Sequence, residues 1–273
     1  MIAFATLGCP GLPLADVIGL ATAHGCTGVE FRYADGEPIH PGLTGAELSG
    51  IGDRLRDNGI TPLALDSYIR VAGEADDAEV VADLRRHIDA AAALGSPYVR
   101  VFAGGGASRP GERPSRAADD RAVRRLAAVA EAARAANVGV LLETHDSHRR
   151  ADDAVRVVAG AADAAGVSTV DGMPLGLIWD VMHTWLGGET PAESAAAVAG
   201  WLGYVQLKDV PSVDDKTPVP PGAGVLPLAR VLAELRARGY EGWISLEWER
   251  AWHPEVAPLA DVLPGFAALA ASR

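Results

Sequence analysis

Basic and aromatic residues are both scarce in this chain, and each shortage bears on what it can do. Of 273 residues only Lys208 and Lys216 are lysines, and 36 acidic residues against 24 basic ones leave a formal net charge of −12. A surface of that sign repels phosphodiester backbones and anionic lipid, which argues against nucleic acid or membrane as partner. It leaves room for a small anion in a local basic pocket. Aromatics make up 5% of the residues while 49% are apolar, so a core must be built mostly from Val, Leu, Ile and Ala. No uncharged run reaches the roughly 18 residues of a membrane span. Cys9 and Cys26 make neither a metal spacing nor a disulfide framework. Met1 leads straight into the strand-like Ile2-Ala3-Phe4-Ala5-Thr6-Leu7, without the basic and apolar segments of a signal peptide. A cytoplasmic protein is the expectation.

What the chain does have is alternation. Eight short β-branched or apolar runs fall at about residues 2–7, 27–32, 61–66, 98–103, 138–143, 175–180, 203–208 and 243–247. Between them lie segments with apolar spacings of three and four, clearest from Arg121 to Arg134, and also from Glu79 to Leu94 and Leu228 to Arg238. Gly25, Asn58-Gly59, Gly95, Asn137 and Gly239 stand where left-handed turns would end helices. Eight β-then-α units predict right-handed crossovers and one closed (β/α)8 barrel spanning residues 1–273. A doubly wound open sheet is the alternative, but Gly8-Cys9-Pro10-Gly11 after the first strand is a poor dinucleotide fingerprint. Two long βα loops, one from Ala103 to Arg116 and one from Val210 to Gly222, are candidate lids or substrate contacts.

The chemistry gathers on the last four strands. The runs Gly139-Val140-Leu141-Leu142-Glu143, Leu175-Gly176-Leu177-Ile178-Trp179-Asp180, Gly203-Tyr204-Val205-Gln206 and Gly242-Trp243-Ile244-Ser245-Leu246-Glu247 each end on an acid or an amide. In a parallel barrel that end is the rim where active sites assemble. Three carboxylates and one amide oxygen are hard donors that suit Mn²⁺ or Mg²⁺, with Co²⁺ a further candidate and Zn²⁺ less favoured. Any one of these carboxylates alone reads equally as a helix cap or an arginine partner.

At this point the chain resembles a known group. Leu142-Glu143-Thr144-His145, Trp179-Asp180-Val181-Met182-His183, Val205-Gln206-Leu207-Lys208-Asp209 and Ser245-Leu246-Glu247-Trp248-Glu249 are similar to segments of the xylose isomerase-like sugar isomerase/epimerase TIM barrels. The similarity covers nearly the whole chain and extends to hydroxypyruvate isomerase, inosose dehydratase and ketose 3-epimerase relatives. It implies Glu143, Asp180, Gln206 and Glu247 as metal ligands, with Glu143 and Glu247 also the acid/base pair. Many relatives have histidine at the third ligand, and the hydroxypyruvate isomerase-like branch shares glutamine. The family's Gly-Glu-Gly turn is here Gly222-Ala223-Gly224, so any role of that glutamate is missing. The implied reaction is proton removal beside the carbonyl of a keto sugar or small hydroxy-keto compound, through an enediolate stabilised by the metal. Return of the proton gives epimerisation or isomerisation. Loss of a leaving group gives a lyase, such as an inosose or dehydroshikimate dehydratase or an eliminase of 3-keto glycosides. Relatives often form dimers or tetramers, and exposed Trp and Leu near the late loops would permit a homo-oligomer here.

Further residues are candidates for the substrate. His183, His145 and Lys208 follow the ligand positions at short spacing, and Lys208 shares a strand face with Gln206. Glu30, Asp66 and Arg100 are polar residues in apolar strands; Glu30 and Arg100 either pair beneath the site or bind substrate. Arg70 and Arg109 are loop candidates for an anion, and Trp185, Trp248 and Trp252 for an apolar pocket wall. A DNA repair endonuclease of the same superfamily is disfavoured by the charge and by the lack of extra histidines after the seventh strand.

Overall fold

The computed structural model describes residues 1–106, 111–167 and 174–271. Eight parallel strands close a barrel in sequence order: β1 Ile2–Ala5, β2 Gly28–Arg32, β3 Thr61–Arg70, β4 Tyr98–Phe102, β5 Gly139–Glu143, β6 Leu175–Asp180, β7 Leu202–Leu207 and β8 Ile244–Leu246. The outer layer comprises α1 Leu14–Ala23, α2 Gly45–Asp57, α3 Asp77–Leu94, α4 Arg116–Ala136, α5 Ala151–Ala165, α6 Val181–Leu186, α7 Pro191–Val198, α8 Leu228–Ala237 and α9 Leu259–Ala271. The expected barrel is the observed one.

Strand limits differ from the sequence expectation by more than one residue in two places. β1 stops at Ala5 because Thr6–Gly8 turn into a 3-10 helix. β3 runs on to Arg70, past a register shift after Asp66, and its last residue pairs with Phe102. Gly25, Gly59, Gly95, Asn137 and Gly239 all take positive φ, from 54° to 78°, as the helix-ending pattern required.

Two cores result. The larger lies between the strands and the helices. The smaller fills the barrel itself with Ala3, Leu63, Ala64, Leu141, Ile178 and Tyr204, flanked by Tyr98 and Trp243. Gly28 is needed for this filling, since a Cβ there would stand 2.6 Å from the Trp243 ring. Side chains two residues apart on a strand share a face. Ala64, Tyr98, Leu141, Ile178 and Tyr204 are therefore each followed, one step toward the strand's C-terminal end, by Asp66, Arg100, Glu143, Asp180 and Gln206. The apolar plug seats a polar layer directly on top of it.

Candidate metal and proton-transfer site

That polar layer is buried: Glu30, Glu143, Asp180 and Gln206 are fully covered, and Asp66, Arg100, Lys208 and Glu247 nearly so. One oxygen from each of Glu143, Asp180 and Glu247 lies within 4.8 Å of the other two. Glu143 closes β5, Asp180 closes β6, and Glu247 follows β8 with its N–H still bonded to the Leu207 carbonyl at 3.0 Å. Asp180 has two duties. Its Oδ1 caps α6 by accepting from the Met182 and His183 amides at 2.8 and 3.2 Å, which leaves Oδ2 for the site. The cap and the ligand readings of this residue are thus compatible.

Gln206 is oriented from across the barrel. Its Nε2 donates to Glu30 Oε2 at 2.8 Å, and the Tyr204 hydroxyl donates to the same oxygen at 2.6 Å. The amide oxygen Oε1 therefore points away from Glu30. Among the described residues, Gln206 Oε1 and both Glu143 oxygens are buried and accept no hydrogen bond. Unsatisfied buried acceptors of this kind cost free energy unless a donor or a cation completes them.

Two cations partly neutralise the acids. Lys208 Nζ lies 2.8 Å from Asp180 Oδ2 and 2.6 Å from Glu249 Oε1, and it also contacts Glu247 Oε2. Arg100 Nη1 lies 3.4 Å from Glu143, 3.6 Å from Glu247 and 3.9 Å from Asp66. Its guanidinium carbon sits 4.3 Å from the Phe102 ring centroid. Arg100 thus pairs with Asp66, Glu143 and Glu247, while Glu30 engages Gln206 and Tyr204. Lys208 pairs with the site carboxylates, and the neighbouring Asp209 turns elsewhere.

The environments push the acids apart. Burial drives Glu143 and Asp66 well above the usual carboxylate range, with neighbouring negative charge adding to it and Arg100 opposing. Burial raises Asp180 to about 6 and Glu30 to about 7. Glu247 is equally buried, yet Lys208 and Arg100 hold it below its ordinary value. A carboxylate that keeps its proton beside one that has lost it is the arrangement proton transfer needs.

Two histidines border the acids. The His145 and His183 rings are 3.9 Å apart, and both residues have a ligand atom within 4.8 Å of Glu143. Burial, followed by the charges of His145 and Lys208, sets His183 well below the usual imidazole value, so it is neutral. His145 is half-exposed, with Nδ1 at 2.9 Å from Asp146. Behind them Ser147 Oγ meets the Gly105 amide and His148 Nδ1, each at 2.9 Å, and His148 Nε2 meets Asp119 at 2.9 Å. Ser147 and His148 are buried, so this serine–histidine–aspartate chain braces the loops after β4 and β5.

Of the other candidates, Trp252 lines the cleft over the site, whereas Trp248 is buried with its N–H on the Ala257 carbonyl. Trp185 packs near Pro191 and Pro227, away from the cleft. Arg70 is exposed at the end of β3, and Arg109 lies outside the described residues. Glu249, Tyr204 and Asp209 were not assigned from sequence. The first two stand two residues from Glu247 and Gln206, the same-face spacing that would have found them.

The profile of the family described as xylose isomerase-like TIM barrel matches residues 18–266. The chain belongs to that family. Its members are enzymes, among them sugar isomerases, epimerases and dehydratases. A Streptomyces coelicolor protein named "Putative hydroxypyruvate isomerase" is 26% identical over 261 residues, 87% of this chain and 86% of that protein. Two solved structures share the fold of this xylose isomerase-like barrel. One is the probable 3-DHS dehydratase AsbF of Bacillus anthracis, at TM-score 0.76 and 17% identity over 100% of this chain and 99% of that one. The other is the IOLI protein with a binding zinc atom, at TM-score 0.79 and 17% identity over 99% and 98%.

Proposed function

We propose that this barrel is a divalent-metal-dependent isomerase or epimerase that moves a proton at the carbon beside the carbonyl of a keto sugar or small hydroxy-keto compound. The observation that carries this is the buried convergence of Glu143, Asp180 and Glu247, with the Glu143 and Gln206 oxygens accepting no hydrogen bond. The donor set fits a cation. Glu143, Asp180, Gln206 and Glu247 would hold it, and four oxygens favour Mn²⁺ or Mg²⁺. When bound, such an ion supplies Lewis acidity, which makes a C–H beside a carbonyl easier to ionise.

The chain's own residues then handle the proton. Glu247, kept ionised by Lys208 and Arg100, accepts it, and Glu143 returns one to the opposite face of that carbon or to its neighbour. The first return inverts a centre; the second moves the carbonyl. His183, which burial keeps neutral, and the adjoining His145 orient substrate hydroxyls. The same histidine pair favours a second reading, a lyase, because an imidazole N–H beside the acids can hydrogen-bond a departing β-oxygen while the protonated Glu143 carboxyl supplies its proton.

Incubation of the Mn²⁺-loaded protein in D₂O with keto sugars, inososes, hydroxypyruvate and 3-keto glycosides, read by mass spectrometry, separates the two. Deuterium uptake at otherwise constant composition supports isomerase or epimerase, and loss of water or aglycone supports the lyase. Glu247→Gln is expected to abolish exchange while circular dichroism stays native. Retained turnover in that variant removes Glu247 from the proton path.

A further inference from the structure

The cleft above the acids has an outer wall of aromatic side chains. Tyr68 near the end of β3 and Trp252 in the turn after β8 both line it, and they are 42% and 54% exposed. The cleft is shallow: its enclosed part holds about 50 Å³, and about 370 Å³ counting the solvent at its open mouth, so a ligand would lie largely across the rim. Large apolar side chains left in water at a cleft mouth mark a place where something binds.

Trp252 is held in position. The Arg32 guanidinium lies 5.0 Å from the Trp252 ring centroid and 5.7 Å from that of Tyr68. Its Nε donates to the Tyr68 hydroxyl at 2.7 Å, and its Nη1 bonds Glu37 at 2.9 Å. The Trp252 amide donates to the Glu249 carbonyl at 3.0 Å, closing the turn that carries the ring. A guanidinium stacked on one face of an indole fixes the ring and leaves the other face for a ligand.

The charge of the cleft restricts that ligand. Its two arginines already face carboxylates, Arg32 facing Glu37 and Arg100 facing Asp66, Glu143 and Glu247. Glu249 adds a further acid to the lining. The glycine turn offers no alternative anion cradle, because the Gly222 and Gly224 amides both donate to Asp209 Oδ2, at 2.9 and 3.0 Å. A phosphate or carboxylate entering this cleft would meet acids and arginines already paired. A carbohydrate ring suits it, with C–H faces for the aromatics and hydroxyls for the carboxylates.

We propose that Tyr68 and Trp252, held by Arg32, form an outer subsite that stacks a second, uncharged ring, making the substrate a keto sugar with a glycosidic substituent. This rests on the isomerase or epimerase reading for the chemistry and adds the substrate class. The reacting sugar lies at Glu143 and Glu247 beside Phe102, and its substituent reaches the rim. A three-carbon keto acid would leave both rim aromatics uncovered.

The test compares deuterium exchange for phenyl 3-keto-glucoside, fructose, fructose 6-phosphate and hydroxypyruvate, in the wild type, Trp252→Ala and Trp252→Phe. The phenyl glycoside is expected to have the highest kcat/KM. Trp252→Ala should raise its KM about ten-fold more than that of fructose, as loss of a stacked ring predicts, and Trp252→Phe should restore most of it. Binding is followed without turnover by indole fluorescence on titration with unreactive phenyl glucoside, whose quenching should vanish in Trp252→Ala. Preference for hydroxypyruvate or the phosphate ester, or an equal KM change for both sugars, overturns the subsite. Trp252-dependent quenching without exchange on any probe keeps the subsite and removes the isomerase reading. Exchange without Trp252-dependent quenching or KM selectivity does the reverse.

Discussion

An amide oxygen where many relatives carry an imidazole changes what Gln206 asks of its neighbours. An amide has a donor end and an acceptor end of almost the same shape, and Glu30 decides between them by accepting from Nε2. The strand-end acids and the shared face of Gln206 and Lys208 were legible in sequence, because a period of two needs only local spacing. The Glu30 partnership was not, since Tyr204 and Glu30 are 174 residues apart and meet only when the barrel closes. His148 likewise gave no sequence signal, yet it is buried between Ser147 and Asp119. Burial holds its folded pKa below the usual 6.5. A depressed pKa gives stability that is complete above the unfolded value and declines as pH falls from there through the folded one. His148→Gln should therefore flatten the fall of Tm between about pH 7 and pH 5, where histidine titrates. An unchanged slope in a thermal melt series would assign that fall to other groups.

At the scale of the element, the long connection from β7 to α8 depends on one side chain. Asp209 Oδ1 accepts from the Val210 and Leu226 amides at 3.0 and 3.1 Å, while Oδ2 takes those of Gly222 and Gly224. Gly224 must be glycine, since a Cβ there would stand 2.2 Å from Asp209 Oδ1. Sequence reading found the loop from its prolines and length. It could not find the anchor, because the bonds join residues up to 17 positions apart inside a segment without periodicity. Asp209→Ala leaves four amides to find water, and charge-assisted bonds of this kind are worth about 1.5–3 kcal/mol each when broken singly. Hydrogen exchange at residues 210, 222, 224 and 226 should speed up by at least ten-fold, with the amides of β7 and α8 less affected. Uniform acceleration across the chain would mean that the anchor supports the whole barrel.

For the whole molecule, the site and the fold should be thermodynamically linked. Cation binding to the native state alone raises stability by about 2.7 kcal/mol when the free ion is at a hundred times its Kd. Mn²⁺ should raise Tm and chelator should lower it again, with Zn²⁺ less effective at equal concentration. Ligands must give up their protons to bind. With Asp180 raised to about 6 by burial, Mn²⁺ binding should release a proton there and weaken as pH falls below about 6. Titration calorimetry in buffers of different ionisation enthalpy reads that release directly, and an enthalpy independent of buffer would contradict it. The barrel is also divided around its circumference. Glu143, Asp180, Gln206 and Glu247 come from the strands of the second half, whereas Arg32, Tyr68 and Phe102 come from the first. A molecule arranged in this way could rewrite its address label without touching its engine: drift at Arg32, Tyr68 and Phe102 would change which compound is admitted, while drift at the four strand-end donors, or at the Glu30 and Arg100 that brace them, would stop conversion.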